Sequence, residues 1–261
     1  MTQKPTRIAI IGAAGRMGRE LCRAVLDDPE CELAGGTIEP GASELGVDLG
    51  VLCGSGEANV VATEEPPEDA DVHIEFTSPG ATLAHLAYRK PVVIGTTGLS
   101  AEQVSEVERA GQNTTVVLAP NMSVGVNVLR EVVAEVSRKL GASYDVEVVE
   151  THHRHKKDAP SGTALFLGQA AAEGRGLDLD EVVVHGREGV ALRTAGEIGV
   201  HALRGGAVVG EHRVIFYSDG EEVEVIHRAL SRKTFADGAV RAAKFAAAAS
   251  PGFYSMADVL A

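Results

Sequence analysis

The chain has 261 residues, of which 44% are hydrophobic and 23% charged, and its formal net charge is −13. This composition is typical of a globular protein with one large or two smaller domains, and its acidity argues against nucleic-acid binding through a basic surface. Cys22, Cys31 and Cys53 show no C-x-x-C spacing, which favours reduced thiols. No apolar run matches a signal peptide or a membrane span, so we expect a cytoplasmic protein with no membrane or nucleic-acid partner.

The first predicted element is a short β-branched run at residues 7–11, which is typical of a buried parallel strand. It leads into Gly12-Ala13-Ala14-Gly15-Arg16-Met17-Gly18 and an amphipathic helix. Strand, glycine turn and helix open a dinucleotide-binding βαβ unit, in which the pyrophosphate rests on the helix N-terminus. Ala14 replaces the second glycine of the strict fingerprint, and a glycine turn before a helix also occurs without any nucleotide.

A second strand at residues 32–38 ends at Glu39. An acidic residue about 20 residues beyond the glycines accepts hydrogen bonds from the adenosine ribose hydroxyls, although an acidic strand end is often only exposed. Residues 40–44 contain no Lys or Arg that would pair with a 2′-phosphate. The sequence therefore predicts NADH as the preferred cofactor, with NADPH possible because Arg16 could partly supply the missing cation.

Further strands alternate with helical segments through the rest of the first half, which predicts a parallel, doubly wound sheet. The predicted strands are residues 72–76, 92–94 and 115–118, and the helices are residues 81–89 and 101–110. Ligands bind at the carboxyl ends of such strands, so the loops that follow should line the nicotinamide end of the site. Each loop taken alone also fits an ordinary turn.

The second half predicts an α+β domain. It begins with a helix at residues 124–140 and a strand at residues 145–150, and a second helix starts at Ser161. Later strands are expected at residues 182–185, 198–203, 207–218 and 221–229, with hairpin turns at 204–206 and 219–220, and a last helix at residues 235–249.

The predicted fold class is therefore α/β: an N-terminal Rossmann-like doubly wound parallel sheet plus an α+β second domain with a mostly antiparallel open sheet. We expect residues 1–122 and 234–261 to form the dinucleotide-binding domain. Residues 123–233 should form the domain for substrate binding and oligomerisation.

The segment from Glu150 to Thr163 stands out chemically. Its residues 152–157 are all cationic or can become so, within an acidic chain. Ser161 or Thr163 can cap the helix that follows, and the first-turn N–H groups of a helix favour a bound anion. These features predict a site that protonates a small anionic substrate. The alternative is a solvated basic loop followed by an ordinary capped helix.

Five segments resemble the 4-hydroxy-tetrahydrodipicolinate reductase (dihydrodipicolinate reductase) family of the bacterial and plant diaminopimelate route to lysine, and the resemblance covers essentially the whole chain. They are Gly-x-x-Gly-Arg-Met-Gly at 12–18, Gly-Thr-Thr-Gly at 95–98, Asn-Met-Ser-Val-Gly-Val-Asn at 121–127, residues 150–164, and Ser-Arg-Lys-Thr-Phe-Ala-Asp-Gly-Ala-Val-Arg at 231–241. The segment 150–164 is the most specific of them.

The resemblance implies that a cyclic, unsaturated imine dicarboxylate is reduced by hydride from the nicotinamide, with loss of the 4-hydroxyl as water. It implies that His152 donates a proton and that Lys156 is a second acid that also neutralises a carboxylate. The substrate-binding residues would be His153, Ser161, Gly162 and Thr163. The cofactor-binding residues would be Gly12, Ala13, Ala14, Gly15, Arg16, Met17, Glu39, Gly95, Thr96, Thr97, Ala119, Pro120, Asn121 and Met122.

The resemblance also implies a homotetramer built through the second-domain sheets. One departure is Pro40, which stands where many family members have an arginine that favours NADPH. No metal is expected, because adjacent histidines on one loop lack the usual zinc-ligand spacing. Two other readings stay open, namely a reductase of a different imine or keto acid, and a nucleotide-sensing binding protein without catalysis.

Overall fold

The structure is a computed structural model that describes residues 4–261. The chain divides into two compact units, one running to Val124 and including Arg232–Ala261, the other spanning Gly125–Ser231. These junctions lie two residues from those expected from the sequence. The functions assigned to the two units remain predictions.

The first unit contains a parallel seven-stranded sheet with the strand order β12-β6-β5-β4-β1-β2-β3. Its strands are β1 (Thr6–Ile11), β2 (Cys31–Thr37), β3 (Ala62–Thr63), β4 (Val72–Glu75), β5 (Val92–Ile94), β6 (Thr115–Leu118) and β12 (Gly252–Tyr254). Its helices are α1 (Arg16–Asp27), α2 (Leu49–Cys53), α3 (Pro79–His85), α4 (Ala101–Ala110), α8 (Lys233–Ala248) and α9 (Met256–Leu260), with a 3-10 turn at Leu86–Tyr88.

The core of this unit explains why its strands are continuous apolar runs. Ile8 and Ile10 of β1 are fully buried, because helices cover the sheet. Helix α8 packs against the central strands and α1 through a face of small residues, among them Ala239 and Ala243. Alanine side chains let the helix approach the sheet closely without loss of burial.

The second unit contains a five-stranded sheet with the order β11-β10-β7-β9-β8. Its strands are β7 (Asp145–His152), β8 (Val183–His185), β9 (Ile198–Arg204), β10 (Gly210–Tyr217) and β11 (Glu222–Ala229). Its helices are α5 (Val124–Leu140), α6 (Gly162–Gly174) and α7 (Leu179–Val182), with a 3-10 turn at Gly141–Ser143.

The predicted fold class is confirmed, with one difference in the second sheet. The pairs β10–β11 and β10–β7 are antiparallel, whereas β7–β9 and β8–β9 are parallel, so the sheet is mixed. The hairpin predicted at residues 219–220 joins the paired strands β10 and β11. The hairpin predicted at residues 204–206 is wrong, because β7 lies between β9 and β10.

The connection at residues 205–206 instead crosses the end of β7. The Gly205 amide donates to the His152 carbonyl at 2.9 Å, and the Arg154 amide donates to the Gly206 carbonyl at 3.2 Å. A turn that looked like a local hairpin in the sequence therefore ties β9 to the end of the strand that carries His152.

We predict that Gly18 is required for the close packing of α1 on the turn at Gly12 and Ala13, which follows β1. A Cβ atom at this position would lie 2.1 Å from the Gly12 carbonyl oxygen and 2.7 Å from Ala13 Cα. Gly18→Ala should lower the free energy of unfolding, measured by urea titration, by about 1–3 kcal/mol. Gly80→Ala in α3 is the matched control, since no atom of residues 4–261 lies within 4 Å of its Cβ position. Equal stability of the two variants would contradict the packing argument.

Candidate active site

The centre of the candidate site in the second unit is Glu150, whose residue exposure is 0%. Side chains of a strand alternate between faces, so Glu150 and His152 share a face with Val146 and Val148. Those valines belong to the apolar core beneath α6. The face of β7 thus changes from apolar to ionisable at its carboxyl end while it remains buried.

Four hydrogen bonds from three parts of the fold converge on the Glu150 carboxylate. Arg204, the last residue of β9, donates from Nη1 to Oε2 and from Nη2 to Oε1, both at 2.8 Å. The Ser161 amide donates to Oε1 at 3.0 Å, and His152 Nδ1 contacts Oε2 at 2.5 Å. Burial acts to raise the pKa of Glu150, but the bonds from Arg204 and His152 outweigh it and hold the pKa below its usual range.

His152 is 8% exposed, and its contact with Glu150 determines its tautomer. An ionised carboxylate only accepts hydrogen bonds, so Nδ1 carries the proton and Nε2 is the nitrogen available for chemistry. Burial lowers the pKa of His152, and the bond to Glu150 opposes that effect without cancelling it. The imidazole is therefore neutral near pH 7 before any anion binds.

Gly210 lies beside this available nitrogen. A Cβ atom at Gly210 would come within 3.0 Å of His152 Nε2, so any larger residue would crowd it. Because Gly210 has no side chain, the start of β10 does not crowd Nε2.

Ser161 and His212 form the next layer of the site. Ser161 Oγ accepts from the Ala164 amide at 3.2 Å, which makes Ser161 the N-cap of α6 as its sequence position suggested. The same oxygen lies 3.2 Å from His212 Nε2, and the rings of His212 and His152 meet edge to face with centroids 5.1 Å apart. Burial lowers the pKa of His212 to about 3, and nearby His152 acts in the same direction.

The other predicted substrate-site residues surround this core. Gly162 and Thr163 open α6, and a Cβ atom at Gly162 would meet no atom of the described part of the chain within 4 Å. His153 is half-buried, and its carbonyl accepts from the Lys156 amide at 3.1 Å. Lys156 Nζ pairs with Asp158 Oδ2 at 2.9 Å. The structure therefore brings all six predicted substrate-site and catalytic residues to the β7 end and the α6 N-terminus.

A separate cavity of about 760 Å³ opens in the first unit at the carboxyl ends of the parallel strands. Its lining includes four of the predicted cofactor residues, Gly12, Ala14, Gly15 and Glu39. Gly12 has a φ of +83°, a conformation that L side chains rarely adopt, and a Cβ there would lie 2.9 Å from Thr77 Cγ2. The N-cap residue of α1 is Gly15, which makes no side-chain cap hydrogen bond to the first turn.

The remaining predicted cofactor residues lie around the same edge of the sheet. Ala13 is buried, Arg16 is exposed and Met17 is half-buried at the start of α1. Gly95, Thr96 and Thr97 follow β5, and the buried Thr96 hydroxyl contacts Thr82 Oγ1 at 2.9 Å. Ala119, Pro120, Asn121 and Met122 follow β6, where Asn121 Oδ1 accepts from the Ser123 amide at 2.9 Å.

The structure adds residues that sequence reasoning missed. Glu150 began the basic segment without a role, Arg204 was read as a turn residue, and His212 as part of a strand. In the first unit, buried Glu75 holds His85 Nδ1 at 2.7 Å, and His85 stacks on Tyr88 at the cavity wall. That hydrogen bond raises the pKa of His85. The sequence did carry one signal for Glu150: it stands two residues before His152, so in a strand the two side chains lie on the same face.

Among residues 4–261, no group of three or more His, Cys, Asp or Glu side chains is arranged to hold a metal ion. Over the same range, none of the helices combines the length and apolar character that crossing a membrane requires.

Buried neutral His212 makes stability depend on pH. In the folded protein it stays uncharged at pH 5, whereas an unfolded histidine with a pKa near 6.5 binds a proton, so stability falls as pH drops through 6.5. We expect His212→Gln to reduce the stability difference between pH 7.5 and pH 5 by about 2 kcal/mol. Urea titrations at both pH values measure the free energy of unfolding, and the value at pH 7.5, where histidine is neutral in both states, gives the effect of the substitution on packing alone. If His212→Gln leaves the difference between the two pH values unchanged, His212 is not the buried neutral group responsible for it.

In comparison with known proteins, both halves of the chain match the same family. Residues 6–122 match the family described as "Dihydrodipicolinate reductase, N-terminus", and residues 125–260 match "Dihydrodipicolinate reductase, C-terminus". The chain is 67% identical over 254 residues to the 4-hydroxy-tetrahydrodipicolinate reductase of Rubrobacter xylanophilus, covering 97% of this chain and 98% of that protein. It is 50% identical over 264 residues to the enzyme of the same name from Chromohalobacter salexigens, covering 98% of each.

A solved structure supports the fold. The dipicolinate-bound dihydrodipicolinate reductase from Paenisporosarcina sp. TG-14 is 22% identical, covers 96% of this chain and 97% of its own, and superposes with a TM-score of 0.71. The resemblance inferred from the sequence motifs is confirmed. The chain belongs to the dihydrodipicolinate reductase family and is an NAD(P)H-dependent oxidoreductase.

Proposed function

We propose that this protein reduces 4-hydroxy-tetrahydrodipicolinate to tetrahydrodipicolinate, with loss of water, in the diaminopimelate route to lysine. The observation that carries the proposal is the oriented imidazole of His152 at the end of β7, tied through Glu150 to the N-terminus of α6. The names of the close relatives support this substrate, and the dipicolinate held by the solved neighbour supports a ring dicarboxylate.

The cavity of the first unit fits a nicotinamide dinucleotide. The left-handed Gly12 and the uncapped N-terminus of α1 form a cradle that suits a pyrophosphate, and Glu39 lies where ribose hydroxyls would donate. When bound, the cofactor supplies the hydride. Gly12 to Met17, Glu39, Gly95 to Thr97 and Ala119 to Met122 are proposed to hold it.

The second unit would bind the two substrate carboxylates. The first-turn N–H groups of α6, where Gly162 leaves open space, favour an anion, and Lys156 adds a positive charge on the preceding loop. His153, Ser161 and Thr163 complete the proposed binding set. A dicarboxylate is the substrate class that this pairing of helix terminus and lysine fits.

His152 would then donate the proton that the reduction requires. Hydride addition to the conjugated ring develops negative charge that an acid must quench. His152 is neutral in the free protein, so Nε2 must first take a proton. The two carboxylates of the bound substrate would favour the imidazolium. Glu150 balances that positive charge through Nδ1, while Lys156 would serve as the second acid.

We propose that NADH is preferred over NADPH. Glu39, Glu44, Glu64 and Glu65 line the cavity, and among its described lining residues none is Lys or Arg. Nearby Arg19 is engaged, since its Nε donates to the Ala14 carbonyl at 3.0 Å and its guanidinium pairs with Glu44. A 2′-phosphate would therefore meet carboxylates and no Lys or Arg of the described cavity lining. The exposed Arg16 at the start of α1 is the cation that could partly compensate, which keeps NADPH possible.

Two assignments stay predictions. The homotetramer built through the sheets of the second unit rests on the family resemblance, and the cytoplasmic location rests on the cysteine pattern and the apolar runs of the sequence.

The reaction is tested by coupling this protein to a synthase that condenses pyruvate with aspartate semialdehyde and following nucleotide oxidation. Because each side chain is proposed to move a proton, His152→Gln and Lys156→Gln should lower kcat about 10²-fold or more. Lys157→Gln, on an exposed neighbouring lysine, is the matched control and should keep kcat within about twofold.

Full kcat in both variants would refute the proposed roles. Synthase-independent oxidation of another imine or keto acid would favour a different reductase, and nucleotide binding without oxidation of any substrate would favour a sensing protein.

Cofactor choice is tested by Pro40→Arg. The new guanidinium would face the position of a 2′-phosphate, so kcat/KM for NADPH should rise about 10-fold, consistent with a charged hydrogen bond. Pro40→Gln controls for loss of the proline ring, and kcat/KM for NADH should change little in either variant. Equal use of NADPH by the unaltered protein would contradict the NADH preference.

A further inference from the structure

Arg204 contacts both elements that carry the proposed acids. Besides its two bonds to Glu150, its Nη2 donates to the Asp158 carbonyl at 2.5 Å, and its Nη1 donates to the Leu203 carbonyl at 2.7 Å. Asp158 in turn pairs with Lys156 through its carboxylate. One guanidinium therefore reaches His152 through a carboxylate and the Lys156 loop through a backbone carbonyl.

The geometry of this contact requires arginine. Its planar fork presents several N–H donors in fixed directions, so two donors meet the two oxygens of Glu150 while another bond reaches the loop. The carboxylate it meets is fully buried, whereas Arg204 keeps 20% of its side chain exposed. A lysine would preserve the charge but could not reproduce all of these directed bonds.

The fold places Arg204 here through strand register. Arg204 pairs with His152 in the parallel ladder between β9 and β7, which brings the ends of the two strands side by side. The amide of the next residue, Gly205, bonds to the His152 carbonyl. Side chain and backbone thus hold the end of β7 from the same direction.

We propose that Arg204 and Glu150 form a positioning pair that holds His152, the Lys156 loop and the α6 N-terminus in one geometry for the proposed reaction. Neither residue need touch the substrate. The inference rests on the proposed function and adds two residues to it, Glu150 and Arg204, which lie 54 positions apart in the sequence.

The charges around His152 give the pair a signature that a merely structural contact would lack. The groups that act on His152 are Glu150, Lys156, Arg204 and His212. Glu150 raises the pKa of His152, whereas Arg204 lowers it. Removal of the carboxylate and removal of the guanidinium should therefore shift His152 in opposite directions.

The test compares Glu150→Gln, Arg204→Lys and Arg204→Gln with Glu135→Gln and Arg138→Lys. Glu135 and Arg138 form a two-bond ion pair of the same chemistry on α5, but that pair is exposed. Glu150→Gln should lower kcat about 10²-fold and Arg204→Lys about 10-fold, each with a smaller change in KM. The kcat of the two control variants should stay within about twofold of the wild-type value. Circular dichroism melts establish that each variant is folded, and Arg204→Lys keeps the buried carboxylate paired with a cation.

NMR titration of the His152 ring completes the test without any substrate. The pKa of His152 should fall in Glu150→Gln and rise in Arg204→Gln. The proposal would be overturned if Glu150→Gln and Arg204→Lys fold and keep the kcat of the controls. It would also be overturned if the pKa of His152 is unchanged in both Glu150→Gln and Arg204→Gln. Opposite shifts of His152 in a protein that cannot reduce the proposed substrate would support the positioning pair and refute the proposed function instead.

Discussion

The candidate site of the second unit depends on the hydrogen bonds that the buried carboxylate of Glu150 accepts. A charge at zero exposure is tolerated only when it is paired and hydrogen-bonded, and removing one partner of a buried pair costs about 3–5 kcal/mol. Glu150 meets this condition with donors from β7, β9 and the turn before α6. Because each donor belongs to a different element, satisfying the charge also aligns the elements.

This arrangement explains how an imidazole that is neutral in the free protein would serve as the proposed acid. Burial alone would leave His152 poorly basic. The Glu150 carboxylate accepts the hydrogen bond from Nδ1–H and would stabilise the positive charge that arises when Nε2 is protonated. In the proposed reaction, a dianionic substrate would supply the remaining driving force by favouring the charged form of His152. His152 would then take up its proton only when the substrate is bound, and its imidazole is neutral in the free protein.

Much of the fold was predictable because its signals are local. β-Branched runs identified β5 and β6 at their observed bounds and β1 to within one residue. Helical composition identified α4, and helical spacing of apolar residues identified α5, both at their observed bounds. Short elements such as α2 and β3 carry too few residues for a periodic signal. The false hairpin after β9 arose because a glycine turn does not reveal that β7 lies between its flanking strands. Arg204 was missed for the same reason, since its contact with Glu150 comes from strand register across 54 positions.

The central claim is that Glu150 fixes the tautomer of His152, and it is tested most directly by a long-range ¹H–¹⁵N NMR spectrum of the unaltered protein at pH 7.5. The account predicts that the His152 ring is neutral, with the proton on Nδ1 and an unprotonated Nε2. A proton on Nε2 with bare Nδ1 would show that the carboxylate does not orient the imidazole, and the organisation described for this site would be wrong.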